Sequence, residues 1–151
     1  MSLRRRVFNQ CVLPTMTYGA ETWSTTKEIE QKLIVTQRAM ERKMLNISLR
    51  DRCKNSDIRN KTQVKDILTK INEMKWRWAG HIARINDNRW TKRVTEWQPR
   101  SGKRKRGRQK RRWRDDITAY RGVTWSREAR NRNEWKMLEE GFILQRMKQP
   151  R

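Results

Sequence analysis

Acidic residues are scarce in this sequence. Its 151 residues include 16 Asp and Glu against 39 Lys and Arg, which gives a formal net charge of +23. A compact chain with that surplus repels itself, so the composition favours a polyanionic partner. Nucleic acid is the usual one, because Lys and Arg that contact phosphates release condensed counterions. We therefore expect RNA, DNA or both as the partner of this chain.

Long apolar stretches are also missing. Hydrophobic residues make up 34% of the chain, and no run approaches the roughly 18 apolar residues of a membrane-spanning helix. An anionic membrane surface is the weaker alternative partner, since it requires a basic helix with a strong apolar face and an anchor. The sequence predicts no membrane partner.

Metal-ligating and disulfide-forming residues are few. The chain has two cysteines, Cys11 and Cys53, and one histidine, His81. A closed four-ligand zinc site cannot be built from three such residues. The wide spacing of the cysteines favours free thiols in a reducing compartment over a disulfide. We expect no cofactor in this chain.

Tryptophan, by contrast, is abundant at eight residues. Each indole can bury on the order of 150–250 Å², so a few of them can anchor small cores in a chain with little aliphatic content. Apolar residues recur at helical spacing, and no strand pattern is present. The predicted fold is all-α: a small irregular helical bundle, a basic flexible linker and a short C-terminal helical piece.

Apolar spacing and capping signals predict six helices. They cover residues 3–13, about 26–45, about 62–85, 90–97, 113–121 and a last stretch that Ser126 caps. Residues 46–61 are polar and rich in Asn, and we expect them to be a connection. A change of composition near residue 99 marks a boundary, which gives regions 1–99, 100–112 and 113–151.

Each helix has a predicted inner face. We expect Pro14 to end the first helix, and a capping box of Thr25 and Glu28 to begin the second. The inner faces of these two helices are Leu3, Val7, Cys11 and Val12, and Ile29, Leu33, Met40 and Met44. Those of the last two are Trp113, Ile117 and Tyr120, with Gly122 as the stop, and Ala129, Trp135, Leu138 and Phe142.

Residues 100–114 carry ten Lys or Arg and no acid. Solvated faces usually mix the two signs of charge, and few of these side chains could be buried without an anionic partner. The tract therefore predicts contact with phosphates, and a second cluster lies near the start of the chain. The candidate nucleic-acid-binding residues are Arg4, Arg5, Arg6, Arg100, Lys103, Arg104, Lys105, Arg106, Arg108, Lys110, Arg111, Arg112 and Arg114.

Two tryptophans are candidates for stacking on unpaired bases. Trp76 and Trp90 fit the apolar stripes of their helices poorly. The stripe of the helix over 62–85 consists of Val64, Ile67, Leu68, Ile71, Trp78, Ile82 and Ile85. A base that stacks on an exposed indole contributes about 1–3 kcal/mol, and core packing is the alternative for both residues. The tryptophans that fall on inner faces are Trp78, Trp97, Trp113 and Trp135.

The adjacent carboxylates Asp115 and Asp116 are a poor metal-binding pair. Neighbouring helical side chains point about 100° apart, so these two cannot converge on paired metal ions. We interpret them as residues stabilised by a helix N-terminus. We interpret His81 as a packed histidine and Gly80 as a site of close approach by another element. No catalytic residue is predicted, and a small nuclease that uses Asp66, Asp115, Asp116 or Glu128 is a minor alternative.

Five motifs in a fixed order carry a family resemblance. They are LPTMTYGAETW (13–23), KWRWAGHIAR (75–84), RWTKRVTEWQP (89–99), RKRGRQKRRWRDDI (104–117) and GVTWSREARNRNEW (122–135). Together they resemble the C-terminal part of the endonuclease-reverse transcriptases of non-LTR retrotransposons of the RTE-like and Jockey-like groups. The resemblance extends over nearly the whole chain, although Gln109 stands where the family's basic motif has proline.

The resemblance implies a position after the polymerase palm. It places Pro14, Tyr18, Gly19, Glu21 and Trp23 in the thumb, with Trp78, Gly80, His81 and Arg84 in the region behind it. Nothing in the sequence resembles the palm's Asp-Asp motif or the family's endonuclease domain. We therefore expect a fragment that is inactive alone, with Mg²⁺ required only by the missing palm. The remainder of the polyprotein is an additional expected partner.

The leading hypothesis is thus a nucleic-acid-binding fragment of an RNA-directed DNA polymerase that grips template or target phosphates. Its expected location is the nucleus, with a cytoplasmic ribonucleoprotein as the alternative. A stand-alone basic nucleic-acid-binding protein, architectural or ribosome-associated, is the alternative function. Composition and motifs leave this choice open.

Overall fold

The computed structural model describes residues 1–87, 89–96 and 112–148. All secondary structure in these ranges is helical, which confirms the all-α prediction. The contacts divide the chain into an N-terminal unit, Met1–Ala20 with Thr25–Ile71, and a C-terminal unit, Glu21–Ser24 with Asn72–Arg151. Over the described ranges, no helix has both the length and the apolar character needed to cross a membrane. The predicted boundary at residue 99 lies outside the described residues.

The N-terminal unit is built from short helices around one long helix. Its elements are α1 (Ser2–Val7), a π-helical turn (Phe8–Val12), α2 (Leu13–Met16), α3 (Lys27–Met44), α4 (Asn55–Thr62) and the first turn of α5 (Ile67–Ala83). Short 3₁₀ turns cover Ala20–Thr22, which crosses into the C-terminal unit, and Leu49–Asp51. The core of this unit consists of Phe8, Leu13, Ala20, Ile67 and Ile71.

The predicted inner face of the first helix is wrong for three of its four residues, and only Val12 packs against the core. Leu3 and Val7 are 71% and 48% exposed, and Cys11 is exposed as well. The buried residues are Phe8 and Leu13, which are five positions apart in the sequence. The Leu13 N–H donates to the Phe8 carbonyl across the π-helical turn, so the two residues lie on the same face. A π turn closes i→i+5 hydrogen bonds, so it shifts the face that an α-helical spacing would bury.

Pro14 does not end the helical segment as predicted. It lies in the first turn of α2, where a proline is tolerated because backbone N–H groups there have no intrahelical partner.

The start of α3 is one residue later than predicted. Thr26, rather than Thr25, is the N-cap, and its hydroxyl accepts a hydrogen bond from the Ile29 N–H at 3.3 Å. Ile29 is exposed. The prediction was otherwise right for the inner face, since Leu33, Met40 and Met44 pack against the core.

The connection predicted over 46–61 contains helix α4. Its buried residues are Ile58 and Thr62, and it ends where Gln63 adopts a left-handed φ of 50°. This break also delays α5, which begins at Ile67 instead of near residue 62. The polar composition of α4 hides it, because only one apolar side chain is needed to hold so short a helix against its neighbours.

A buried charged cluster joins α3 to α4 and the start of α5. Arg38 forms ion pairs with Glu41 and with Asp66, the latter at 3.4 Å, and all three side chains are buried. The Thr62 hydroxyl donates to Glu41 Oε2 at 3.0 Å. Buried charges are tolerated when they are paired and hydrogen-bonded, so this cluster fixes the register of the three elements.

In its described residues, the C-terminal unit contains the rest of α5 and five shorter helices. These are α6 (Trp90–Glu96), α7 (Asp115–Arg121), α8 (Trp125–Glu128), α9 (Arg132–Met137) and α10 (Glu139–Lys148). The single last helix that the sequence predicted is therefore three helices. Ser126 lies inside α8, and the capping side chain is that of Asn131, which accepts from two N–H groups at the start of α9.

The inner faces of α7 and of the last predicted stretch agree with the predictions. Ile117, Ala129, Trp135 and Phe142 are buried in one core. Trp113, Tyr120 and Leu138 pack against it, and α7 stops at Gly122, whose φ of 80° suits glycine. These positions could be predicted because they depend on the helical periodicity within each short segment, and breaks between the segments do not change that periodicity.

Trp76 is at the centre of this core, so its assignment as a base-stacking residue is wrong. Its exposed fraction is 0%, and its ring stacks on that of Trp135 with centroids 3.7 Å apart. The indole N–H of Trp76 donates to the Trp135 carbonyl at 2.8 Å, and that of Trp135 donates to the Trp76 carbonyl at 3.0 Å. The reciprocal hydrogen bonds satisfy both buried indoles. Trp76 fits the apolar stripe poorly because it lies, with Ala79 and Ala83, on a face of α5 that packs in the core of the C-terminal unit.

Gly80 allows this indole pair to lie against α5, as predicted. A Cβ placed on it would lie 2.6 Å from Cδ1 and from Nε1 of Trp135. His81, by contrast, is exposed rather than packed, and its ring stacks on Trp78 with centroids 5.2 Å apart.

Candidate nucleic-acid interface

The basic tract falls mostly outside the described residues. Of its predicted contacts, the structure describes Arg112 and Arg114, which precede α7 and are partly buried. The remaining members are not described: Arg100, Lys103, Arg104, Lys105, Arg106, Arg108, Lys110 and Arg111. Trp97 also lies outside the described residues.

The first cationic cluster lies on α1 in the N-terminal unit. Arg4 donates to the carbonyl of Met44, and Arg5 donates to Oε1 of Gln63 at 2.6 Å. Arg6 is exposed. Two of the three guanidinium groups therefore hold α1 against its own unit through neutral acceptors, and their positive charge is not cancelled.

A groove in the C-terminal unit gathers aromatic and cationic residues. It has a volume of about 590 Å³. Its described lining comprises Thr22, Trp78, Trp90, Thr91, Val94, Thr95, Arg112, Trp113 and Arg114. The structure thus brings the end of the basic tract to three indoles that belong to three different segments.

Trp90 is the most accessible indole of this groove. It is 75% exposed, and the guanidinium carbon of Arg93 lies 5.4 Å from its ring centroid. This geometry is that of a cation–π contact. An exposed indole beside a guanidinium suits stacking on a base, so the structure leaves the prediction for Trp90 open while it removes Trp76.

Trp113 is held rigidly at the wall of the groove. Its indole N–H donates to the Glu21 carbonyl at 2.6 Å, and the Lys75 ammonium lies 5.5 Å from its ring centroid. Lys75 in turn forms a buried ion pair with Asp116 at 2.6 Å. The ion pair therefore fixes the first turn of α7 to α5, and this sets the positions of Arg112 and Arg114, which precede that turn.

The four carboxylates of the nuclease hypothesis have structural partners. Asp115 accepts from the Arg112 N–H at 2.7 Å, as expected for a helix N-terminus. Asp116 pairs with Lys75, and Glu128 with Arg121 at 2.6 Å. Asp66 pairs with Arg38 and Arg59 in the N-terminal unit. In the part of the chain that the structure describes, no group of three or more His, Cys, Asp or Glu side chains could hold a metal ion.

Two arginines of the C-terminal unit have shifted pKa values. A side-chain hydrogen bond to Glu139 raises the pKa of Arg77 above its ordinary value. Burial lowers the pKa of Arg84, and the charge of Arg132 adds to this effect. An arginine starts so far above neutrality that neither shift changes its charge at physiological pH.

Comparison with known proteins finds a relative in Caenorhabditis elegans, named as an uncharacterized transposon-derived protein. The two are 38% identical over 146 residues, covering 88% of this chain and 52% of the relative. The chain thus spans about half the length of the curated relative it matches. No family model matches the chain, and no solved structure matches it. The similarity indicates a transposon origin for this sequence.

Proposed function

We propose that this chain is the nucleic-acid-binding C-terminal segment of a retrotransposon reverse transcriptase. It grips the phosphates of template RNA, target DNA or their hybrid, with little discrimination between bases. In the whole protein it would support RNA-directed DNA synthesis, whereas the segment alone polymerises nothing.

The net charge of +23 carries this proposal. Arg112 and Arg114 bring the end of the basic tract to an aromatic groove, and phosphate-binding proteins place arginine at such sites for its forked donors. The transposon-derived relative and the five ordered motifs favour a reverse transcriptase as the whole protein, rather than a stand-alone basic protein.

Salt dependence of binding tests the phosphate contacts. If the tract engages about six phosphates, the logarithm of the binding constant for a DNA duplex falls with the logarithm of salt concentration at a slope near −5. Changing Lys103, Arg104, Lys105 and Arg106 to Ala should reduce the steepness by up to about four units.

A matched control removes the same charge elsewhere. Alanine at Lys54, Lys61, Arg130 and Lys136, which are exposed in the helical units, should change the slope much less. Equal slopes for the two quadruple variants would contradict a role of the tract. Failure of the native, folded chain to bind RNA or DNA at low salt would refute the proposal.

Primer extension tests the assignment to a polymerase segment without a palm. The purified chain should incorporate no deoxynucleotides on a primed RNA template under conditions in which it binds that template. Template-dependent incorporation would show that the chain has a catalytic centre of its own.

A further inference from the structure

The groove of the C-terminal unit has the construction of a ligand site. Its volume of about 590 Å³ falls within the roughly 300–1,000 Å³ of small-molecule sites. Its described lining is mostly apolar, with three indoles, and it includes the two arginines Arg112 and Arg114. An occupant with a flat apolar face and a negative charge would match both features.

The two arginines are available for such a charge. Arg112 uses its backbone N–H for Asp115, and within the described ranges no carboxylate lies within 4.0 Å of either guanidinium group. Partly buried guanidinium groups without an acidic partner are favourable sites for phosphate.

The aromatic side of the groove combines a fixed and an exposed ring. Trp113 is held by its hydrogen bond to Glu21. Trp90 is 75% exposed, although an exposed indole lacks the favourable free energy of burial. An exposed indole in a groove that already holds a fixed indole suits a ligand whose flat face stacks on the exposed ring.

We propose that this groove binds one unpaired nucleobase of a single strand, which stacks on Trp90 while adjoining phosphates contact Arg112 and Arg114. This inference rests on the proposed nucleic-acid-binding function and adds a preference for unpaired over paired segments. Bases of a duplex are stacked on one another, so an indole reaches their faces only after they unstack.

Two single-stranded probes, one with bases and one without, test this proposal. The native chain is titrated with a fluorescent oligothymidylate and with an abasic phosphodiester strand of the same length and charge. We expect the base-bearing strand to bind more tightly. Trp90→Ala should weaken its binding roughly 5- to 150-fold, as expected for one lost stacking contact, and should leave the abasic strand nearly unaffected.

Control variants separate stacking from charge and from folding. Trp90→Phe should retain most of the preference for the base-bearing strand. Tyr18→Ala removes an aromatic ring that is 87% exposed in the N-terminal unit, and it should change neither affinity. The double variant Arg112→Gln/Arg114→Gln should weaken the binding of both strands more than the control double variant Arg127→Gln/Arg130→Gln does. Circular dichroism checks that each variant keeps its helix content.

The outcomes distinguish the two proposals. If the native chain binds both strands and Trp90→Ala leaves their affinity ratio unchanged, the groove does not hold a base, while the proposed function stands. If the native chain binds neither strand at low salt, both proposals are refuted. A change in ratio that Trp90→Phe does not reverse would mean that the variant acts through the structure of the groove, which also overturns the stacking proposal.

Discussion

The substitution Gly80→Ala tests how tightly the indole pair packs against α5. On helix propensity alone this change should stabilise the protein by about 1 kcal/mol, because Gly is the poorer helix former. The new Cβ, however, would lie 2.6 Å from Cδ1 and Nε1 of Trp135. That indole stacks on Trp76 and donates to its carbonyl, so it cannot move away without loss of both contacts.

The packing terms outweigh the propensity term. Overpacking a core typically costs about 1–3 kcal/mol, and a weakened buried hydrogen bond adds about 1 kcal/mol. Subtracting the gain in propensity leaves a net loss of about 2 kcal/mol. We therefore expect Gly80→Ala to lower the free energy of unfolding of the C-terminal unit by about that amount.

Denaturant unfolding followed by near-ultraviolet circular dichroism measures this effect, since the stacked indoles contribute to that signal. Ala119→Gly on the exposed face of α7 is the control, because it changes propensity without a tertiary contact and should destabilise by about 1 kcal/mol. If Gly80→Ala raised the free energy of unfolding, the argument from close packing would be refuted.

Two further predictions concern the N-terminal unit. Glu41→Gln leaves the buried Arg38 with only the longer contact to Asp66 among the ion pairs described here, and it should destabilise the protein by about 3 kcal/mol. The control Glu28→Gln breaks an exposed pair with Lys32 and should cost less than about 1 kcal/mol. Equal effects of the two variants in thermal unfolding would contradict the role of burial. Asn46, at a φ of 55°, should tolerate Gly, whereas Ala there should cost about 1 kcal/mol because left-handed backbone disfavours a Cβ; equal melting temperatures for the two variants would refute this reasoning.

Local sequence signals predicted the fold where one helical turn contains the needed information. Ile117 and Tyr120 lie three residues apart on a short amphipathic helix, and Gly122 ends it. The predicted close approach at Gly80 also depended on a single position. In such cases the periodicity of apolar residues and the special backbone of glycine act within a few residues.

Other features depended on partners that are distant in sequence. Trp76 fitted no stripe because its partner is Trp135, 59 residues later. The π-helical turn after α1 shifts the buried positions to Phe8 and Leu13. The residue types in this turn gave no signal from which a π-helical turn could be predicted. Thr25 and Thr26 are equivalent as capping residues, so the sequence could not choose between them.

The candidate site was predictable in kind but not in geometry. The basic tract and the exposed Trp90 follow from the sequence, since charge without acids and an indole off the apolar stripe are local signals. That Trp78 and Trp113 join Trp90 around one groove depends on the packing of α5, α6 and the start of α7. Aromatic residues on both sides of a basic tract are the signal that could have indicated such a groove.

The placement of the acids determines how the cationic surplus can act. Glu41, Asp66 and Asp116 are buried beside Arg38 or Lys75, so these pairs remove acids and cations from the surface together. The net surplus is therefore unchanged, while fewer acids remain outside to interrupt it. Salt screens exposed charges over about 8 Å at physiological ionic strength and affects buried pairs much less. Added salt should therefore weaken phosphate contacts long before it weakens these internal pairs, which is why a salt slope reports on binding rather than on loss of the fold.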